Sequence, residues 1–273
     1  MTVLSVAHRG ASGYAPENTV VAVEAAIRMA ADLVEVDVQR TKDGHLVVMH
    51  DTVLTRTTNA KSVFPDREPW RLREFTLAEI RQLDAAARFS GDKPGEFAGV
   101  DLPDDFTGVQ TPMLPEVLET LVEGGTSLLL EVKAPKLYPG IGEQVVKQLR
   151  SGSAWPGGGR RLVVSSFDWE FIEGFRSLMP EAKLGLIGAP ELDRLPHLAA
   201  FADLIQPEWG SFDADYVQHA HQAGLQVYAW TLDDPDDIRD AVHIGVDGVV
   251  TNKPDVLHEV LRSLPTEVPK ATL

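Results

Sequence analysis

His8 and His50 each close an apolar run. Histidine titrates nearest neutral pH, so the pair suits general acid–base work. Glu35 and Asp37 stand two apart in L-V-E-V-D-V, as do Glu131 and Lys133 in L-L-L-E-V-K. On a strand, residues two apart point to one face. At neighbouring strand ends Glu35, Asp37 and Glu131 would repel one another strongly unless a cation sat among them. Ligands that are all oxygen favour a hard ion, Mg²⁺ or Ca²⁺, over zinc. Taken singly, each pair also reads as a solvated strand end or a partner for Arg or Lys; recurrence at successive strand ends is what favours the cation. Arg9 and Lys133 add fixed positive charge, and the planar fork of Arg matches phosphate oxygens. Two histidines, a hard cation, an Arg and a Lys describe phosphate-ester chemistry. The other histidines, His45, His197, His219, His221, His243 and His258, read as surface or helix residues.

These side chains converge only if the elements that carry them end on one rim. Short β-branched runs cover residues 3–8, 33–38, 127–132, 162–167, 184–187, 204–206, 227–230 and 248–251. Most are apolar on both faces, as strands covered on both sides should be. Helical patterns alternate with them: 19–31 is the plainest, and 168–178, 213–223 and 234–242 each begin at an Asp that can cap. Eight βα repeats in 273 residues predict an α/β fold, a (β/α)8 TIM barrel, whose strand C-termini share one face. The T-K-D-G turn at 41–44 followed by L-V-V-M predicts a hairpin over 38–50 that returns His50 to the end of the second barrel strand. The excursion at about 51–111 holds one helix-like piece at 76–87 and then an acidic, Gly/Pro-rich stretch that reads as an insertion or lid. No second apolar core is legible there. A single domain over 1–264 with a loose tail at 265–273 is expected.

Composition excludes several classes. With 41 Asp+Glu against 25 Lys+Arg the net charge is −16, so polyanions are repelled and nucleic acid is not an expected partner. Zero cysteines remove disulfides, thiolate nucleophiles and cysteine metal sites. The opening M-T-V-L-S-V-A-H lacks a basic start and an apolar core, and no apolar run approaches the roughly 18 residues of a membrane span. A cytoplasmic location with no membrane span is expected. Between residues 90 and 110 there are five acids and one Lys, which suggests that negative charge lies on the surface and lid around a positive pocket.

The ordered set A-H-R-G-A-S-G-Y-A-P-E-N-T, E-V-D-V-Q-R-T-K-D-G-H-L-V-V-M-H-D, L-T-R-T-T, L-L-L-E-V-K, V-V-S-S-F, V-Y-A-W-T and G-V-D-G-V-V-T-N-K-P resembles the glycerophosphodiester phosphodiesterase family from residue 7 to residue 254. The resemblance implies a (β/α)8 barrel with a small insertion. It implies that His8 and His50 are catalytic, that Glu35, Asp37 and Glu131 hold one divalent cation, and that Arg9 and Lys133 contact the phosphate. Glu17 and Asn18 would shape the rim, although Asn18 and Thr19 also read as caps of the first helix. Trp230 either lines the substrate pocket or packs in the core. Two positions depart from the family pattern: Ala30 where Gly is frequent, and Thr55 where Asp is common. The implied reaction is hydrolysis of a small glycerophosphodiester, such as glycerophosphocholine or glycerophosphoethanolamine, to sn-glycerol 3-phosphate and an alcohol. His8 is favoured as base and His50 as acid in the first step, an order the residues leave open. Two alternatives keep the site: lysophospholipase D-type activity on lysophospholipids, and a barrel that binds phosphate ligands without turnover.

Overall fold

The computed structural model describes residues 3–92, 100–151 and 162–264; the tail at 265–273 and residues 93–99 of the expected lid lie outside them. Nine strands are present among the described residues: β1 (Leu4–Ala7), β2 (Leu33–Arg40), β3 (Leu46–Val48), β4 (Ser127–Val132), β5 (Leu162–Ser166), β6 (Lys183–Ile187), β7 (Leu204–Gln206), β8 (Gln226–Ala229) and β9 (Gly248–Thr251). Eight of them pair in parallel in the order β1-β9-β8-β7-β6-β5-β4-β2, and the β1–β2 pairing (Val6↔Leu33) closes the barrel. The ninth, β3, pairs antiparallel with the end of β2 (Val38↔Val48). This is the expected hairpin, and it lengthens β2 to Arg40 beyond its contact with β4. The eight runs read from the sequence all coincide with barrel strands.

The helices are α1 (Val20–Arg28), α2 (Ala60–Val63), α3 (Leu77–Ile80), α4 (Leu114–Gly124), α5 (Ile141–Arg150), α6 (Trp169–Leu178), α7 (Leu195–Leu198), α8 (Ala214–Gln222), α9 (Pro235–His243) and α10 (Pro254–Ser263). The carboxylates of Asp168, Asp213 and Asp234 accept from backbone N–H groups of the first turns of α6, α8 and α9, each cap contributing about 1 kcal/mol. Thr19 caps α1, accepting from the Ala22 N–H at 3.2 Å. Ala30, just past that helix, adopts φ +59°, the left-handed conformation in which glycine is at ease.

Alternation divides each barrel strand between two cores. Val6, Leu33, Leu129, Val163, Leu204, Tyr228 and Val250 fill the barrel interior, while Val34, Val36, Leu128, Leu130, Val164 and Val249 pack outward beneath the helices. The Tyr228 ring occupies the space that a side chain at Gly248 would need, 3.0 Å from where its Cβ would stand. Above this apolar filling the same inward positions turn polar, so the floor of the site rests on a packed plug.

The excursion after β3 differs from expectation in two respects. The helix read at 76–87 is only the short α3, started by a Thr76–Glu79 capping box. Past it the chain leaves the helical bonding pattern: the Leu83 N–H bonds to the Ile80 carbonyl and the Ala85 N–H to the Val109 carbonyl, and the Asp84 carboxylate accepts from the Ala86 N–H. The excursion also has an apolar core of its own: Leu54, Ala60, Leu72, Phe75, Ile80 and Leu83 are buried with Val47 and Met49 of the hairpin. Their spacing follows neither a strand nor a helix period, and they meet only in space.

Gly10 shows how closely the loop after β1 approaches α1. Its φ is +82°, and a Cβ there would meet the Ala22 carbonyl carbon at 2.5 Å. Gly44, at φ +90°, has nothing within 4 Å of its would-be Cβ. Gly10→Ala is therefore expected to cost about 2 kcal/mol or more and to lower Tm by roughly 4–8 °C. Gly44→Ala should lose less than half of that; equal losses in calorimetry would mean that the close approach to α1 contributes nothing.

Candidate active site

Glu35 and Asp37 face inward from β2 and Glu131 from β4, where Asp37 and Glu131 are register partners. All three are buried, with one oxygen of each within 4.8 Å of the others. The backbone around them is shaped to hold them. Arg9, at φ +56°, turns its N–H onto Glu35 Oε2 at 2.7 Å. Asn18, at φ +58°, donates from Nδ2 to Asp37 Oδ2 at 2.8 Å and accepts from the Asp37 N–H at 3.1 Å. Asn18 is thus not the helix cap; Thr19 is, and Asn18 orients Asp37.

Packing three acids together moves their proton affinities apart. Burial and then the charges of Asp37 and Glu131 push the Glu35 carboxyl well above the usual carboxylate range. Burial and the Asp37 charge push Glu131 up to about 7. Burial also works against ionised Asp37, but Arg9 and Lys133 outweigh it and hold that carboxylate below its ordinary value. The Arg9 guanidinium lies 3.4 Å from Asp37 and 2.9 Å from Glu17. The Lys133 ammonium lies 2.6 Å from Glu131 and 3.6 Å from Asp37. Asp37 Oδ1 and Glu131 Oε1 nevertheless make no well-oriented hydrogen bond. Buried carboxylate oxygens left in this state fit a hard divalent cation.

Both histidines are fixed through Nδ1. His8 Nδ1 is 2.7 Å from Asn252 Oδ1. The Asn252 amide donates to Asp233 Oδ2, and Ser12 Oγ donates to Asn252 Oδ1, so that oxygen can only accept. His8 must then carry its proton on Nδ1 and present a bare Nε2. Burial, with a smaller contribution from Arg9, lowers the His8 imidazole to about 4, so it is neutral at pH 7. His50 follows β3, which returns to the end of β2 as the Met49 N–H bonds to the Asp37 carbonyl at 2.9 Å. Its Nδ1 is 2.5 Å from Asp51 Oδ1, again leaving Nε2 free. Burial acts to raise the Asp51 carboxyl, yet hydrogen bonds from His50 and Arg56 hold it far below the ordinary range. The Gln39 amide donates to the carbonyls of Met49, His50 and Asp51 and accepts from Tyr138.

Glu17 stands at the rim bound by Arg9 and Arg56. Trp230 packs on the barrel interior; its indole N–H donates to the Gln206 carbonyl, and its ring meets that of Phe167 edge-on at 6.0 Å. Phe167, 56% exposed, lies beneath the Lys133 ammonium. Two cavities flank the acidic floor. One, of about 480 Å³, is lined by His8, Arg9, Glu17, Arg56, Phe89 and Asn252 among others. The second, of about 770 Å³, is lined by Glu131, Lys133, Leu137, Phe167 and Trp169 among others.

Strand parity alone could have indicated Gln39, which continues Glu35 and Asp37, and Asn252, which continues Gly248 and Val250. Arg56 lies in a loop and gives no periodic signal. Arg9 and Lys133 are each held by carboxylates in this structure; the expected positive pocket counted on a cation to neutralise those acids.

The family model described as the glycerophosphoryl diester phosphodiesterase family matches residues 8–256. A glycerophosphodiester phosphodiesterase of Caldanaerobacter subterraneus subsp. tengcongensis is 33% identical over 265 residues, 96% of this chain and 99% of that protein. One of Bacillus subtilis is 32% identical over 269 residues, 94% of this chain and 86% of that protein. The structure of an Oleispira antarctica phosphodiesterase in complex with the product sn-glycerol-3-phosphate superposes with a TM-score of 0.80 at 28% identity, covering 95% of this chain and 97% of that one. By extent and order of match, the chain belongs to the glycerophosphoryl diester phosphodiesterase family.

Proposed function

We propose that the protein hydrolyses glycerophosphodiesters to sn-glycerol 3-phosphate and an alcohol, using one divalent cation and the two histidines. The observation that carries this reading is the pairing of a buried triad, Glu35, Asp37 and Glu131, with two imidazoles whose Nδ1 atoms are both engaged. Held on that triad, Mg²⁺ or Ca²⁺ would polarise a phosphoryl oxygen and neutralise the floor.

The neutral Nε2 of His8 takes the proton of the glycerol 2-hydroxyl as that oxygen attacks phosphorus. His50 gives a proton to the oxygen of the departing alcohol. The resulting cyclic phosphate is opened by water, with the two imidazoles exchanging tasks. Arg9 and Lys133, which a cation on the triad would leave less tightly held by the floor, would face the negative charge that builds on the phosphate. Glu17 and Asn18 do not meet the reacting atoms in this scheme; they hold Arg9 and Asp37. The relative solved with sn-glycerol-3-phosphate supports the product side of this reaction. The alcohol is small and polar, as in glycerophosphocholine or glycerophosphoethanolamine.

A second reading rests on the cavity beside Lys133, whose wall includes Leu137, 40% exposed, and Phe167, 56% exposed. Such a wall could take the acyl chain of a lysophospholipid.

Four outcomes are expected. His8→Ala and His50→Ala should each lower kcat/KM on glycerophosphocholine by about 10³-fold; turnover near wild type in either variant would remove that residue from the chemistry. Chelation should abolish release of sn-glycerol 3-phosphate, and Mg²⁺ or Ca²⁺ should restore it. Because Glu131 keeps its proton up to about pH 7 and Glu35 is raised as well, protons compete with the cation as pH falls. The cation concentration for half-maximal rate should then rise by at least about tenfold per pH unit below 7, one decade for each proton displaced, and a flat dependence would argue against the triad as the site. Finally, choline release from glycerophosphocholine should exceed that from lysophosphatidylcholine, the reverse order favouring the lysophospholipid reading.

A further inference from the structure

His50 is the reactive group least supported by the barrel. It follows β3, a three-residue strand outside the closed ring, on a loop that stands on the Gln39 amide. Arg9, by contrast, lies two residues past β1, a strand of the closed ring. What joins the two is Arg56. Its Nε and Nη2 donate to Asp51 Oδ2 and Oδ1 at 2.6 and 3.2 Å. Its Nη1 and Nη2 donate to Glu17 Oε2 and Oε1 at 2.7 and 2.6 Å. Asp51 holds His50 Nδ1 at 2.5 Å, and Glu17 holds Arg9 Nη1 at 2.9 Å. An unbroken chain of charge-assisted hydrogen bonds thus runs from His50 through Asp51, Arg56 and Glu17 to Arg9.

We propose that Arg56 is a positioning residue that locks the His50–Asp51 pair to the Arg9–Glu17 pair and so sets the separation of the two groups flanking the phosphodiester. The proposal rests on the reading above, in which His50 and Arg9 meet the substrate. The planar guanidinium suits the task because its fork engages two carboxylates, each in bidentate fashion, at fixed angles; an ammonium cannot. Direct binding of phosphate by Arg56 is the competing role, since it lines the same cavity as His8 and Arg9. Its N–H groups, however, already make four hydrogen bonds to the two carboxylates. With Arg56 46% exposed, its ion pairs contribute little to stability, so its effect should appear in turnover and hardly in melting.

The test is steady-state kinetics on glycerophosphocholine with saturating Mg²⁺. Arg56→Ala should lower kcat by roughly 30- to 100-fold, the scale of an ångström-sized misplacement, with KM changed less than about threefold. Arg56→Lys, which keeps the charge and loses the fork, should recover no more than about a tenth of the rate, and added methylguanidinium should restore part of the Arg56→Ala loss. Asp51→Ala/Arg56→Ala should be no slower than Asp51→Ala within about threefold, since the two act as one unit. Wild-type kcat in Arg56→Ala, a loss confined to KM, or losses that multiply in the double variant would each overturn the proposal. Where Arg56→Ala lowers Tm by several degrees, Arg56→Gln and Arg56→Lys carry the same comparison. His50→Ala run alongside separates the two readings: an inactive His50→Ala beside a fully active Arg56→Ala sinks only the coupling, whereas an active His50→Ala sinks the role of His50 itself.

Discussion

Repulsion among three buried carboxylates organises this molecule's working face. Glu35, Asp37 and Glu131 come from adjacent strands and sit over an apolar plug, where water cannot screen them and like charges act at nearly full strength. Every near neighbour answers that field. Arg9 turns into the left-handed region to bring its N–H to Glu35, Asn18 does likewise for Asp37, and Lys133 bridges Asp37 and Glu131. Arg9 and Asn18, both left-handed, thus stand at carboxylate contacts, where their conformational cost is offset by hydrogen bonds to charge.

The two histidines solve a different problem with one device. Each imidazole has its Nδ1 engaged by an acceptor that is itself held from behind: Asn252 by Asp233 and Ser12, Asp51 by Arg56. That fixes the tautomer, and only a fixed tautomer presents Nε2 consistently to a substrate. The environments differ in step with the proposed roles. His8, partly buried beside Arg9, has its imidazole lowered to about 4 and a neutral amide at its back; His50, also partly buried, has a carboxylate at its back.

How much of this was legible in the sequence depended on period. Glu35, Asp37, Glu131 and Lys133 announced themselves because inward strand positions recur every second residue, and the eight runs that carry them close into the ring. The T-K-D-G turn was enough to return His50 to the rim. What escaped lies where no period operates. The apolar core of the excursion is assembled from α2, α3 and the loops between them, so no window of sequence displays it. Asn18 and Thr19 read alike as caps, and only the backbone turn at Asn18 sends one to Asp37 and leaves the other on the helix. Arg56 gained meaning from Glu17 and Asp51, residues from two separate loops.

The charge of −16 finally bears on the site itself. Five carboxylates, Glu17, Glu35, Asp37, Asp51 and Glu131, face the fixed cations Arg9, Arg56 and Lys133. Without further positive charge the pocket is therefore short by two, and it meets the deficit by retaining protons, which is what the raised carboxyls of Glu35 and Glu131 express. One divalent cation has the charge that restores neutrality. With such a cation in place, Arg9 and Lys133, which the carboxylates engage in this structure, would be less tightly held and could face an anionic phosphodiester. On this electrostatic ground a divalent cation held on the triad would favour binding of an anionic substrate as well as polarise it, in line with the proposed reaction.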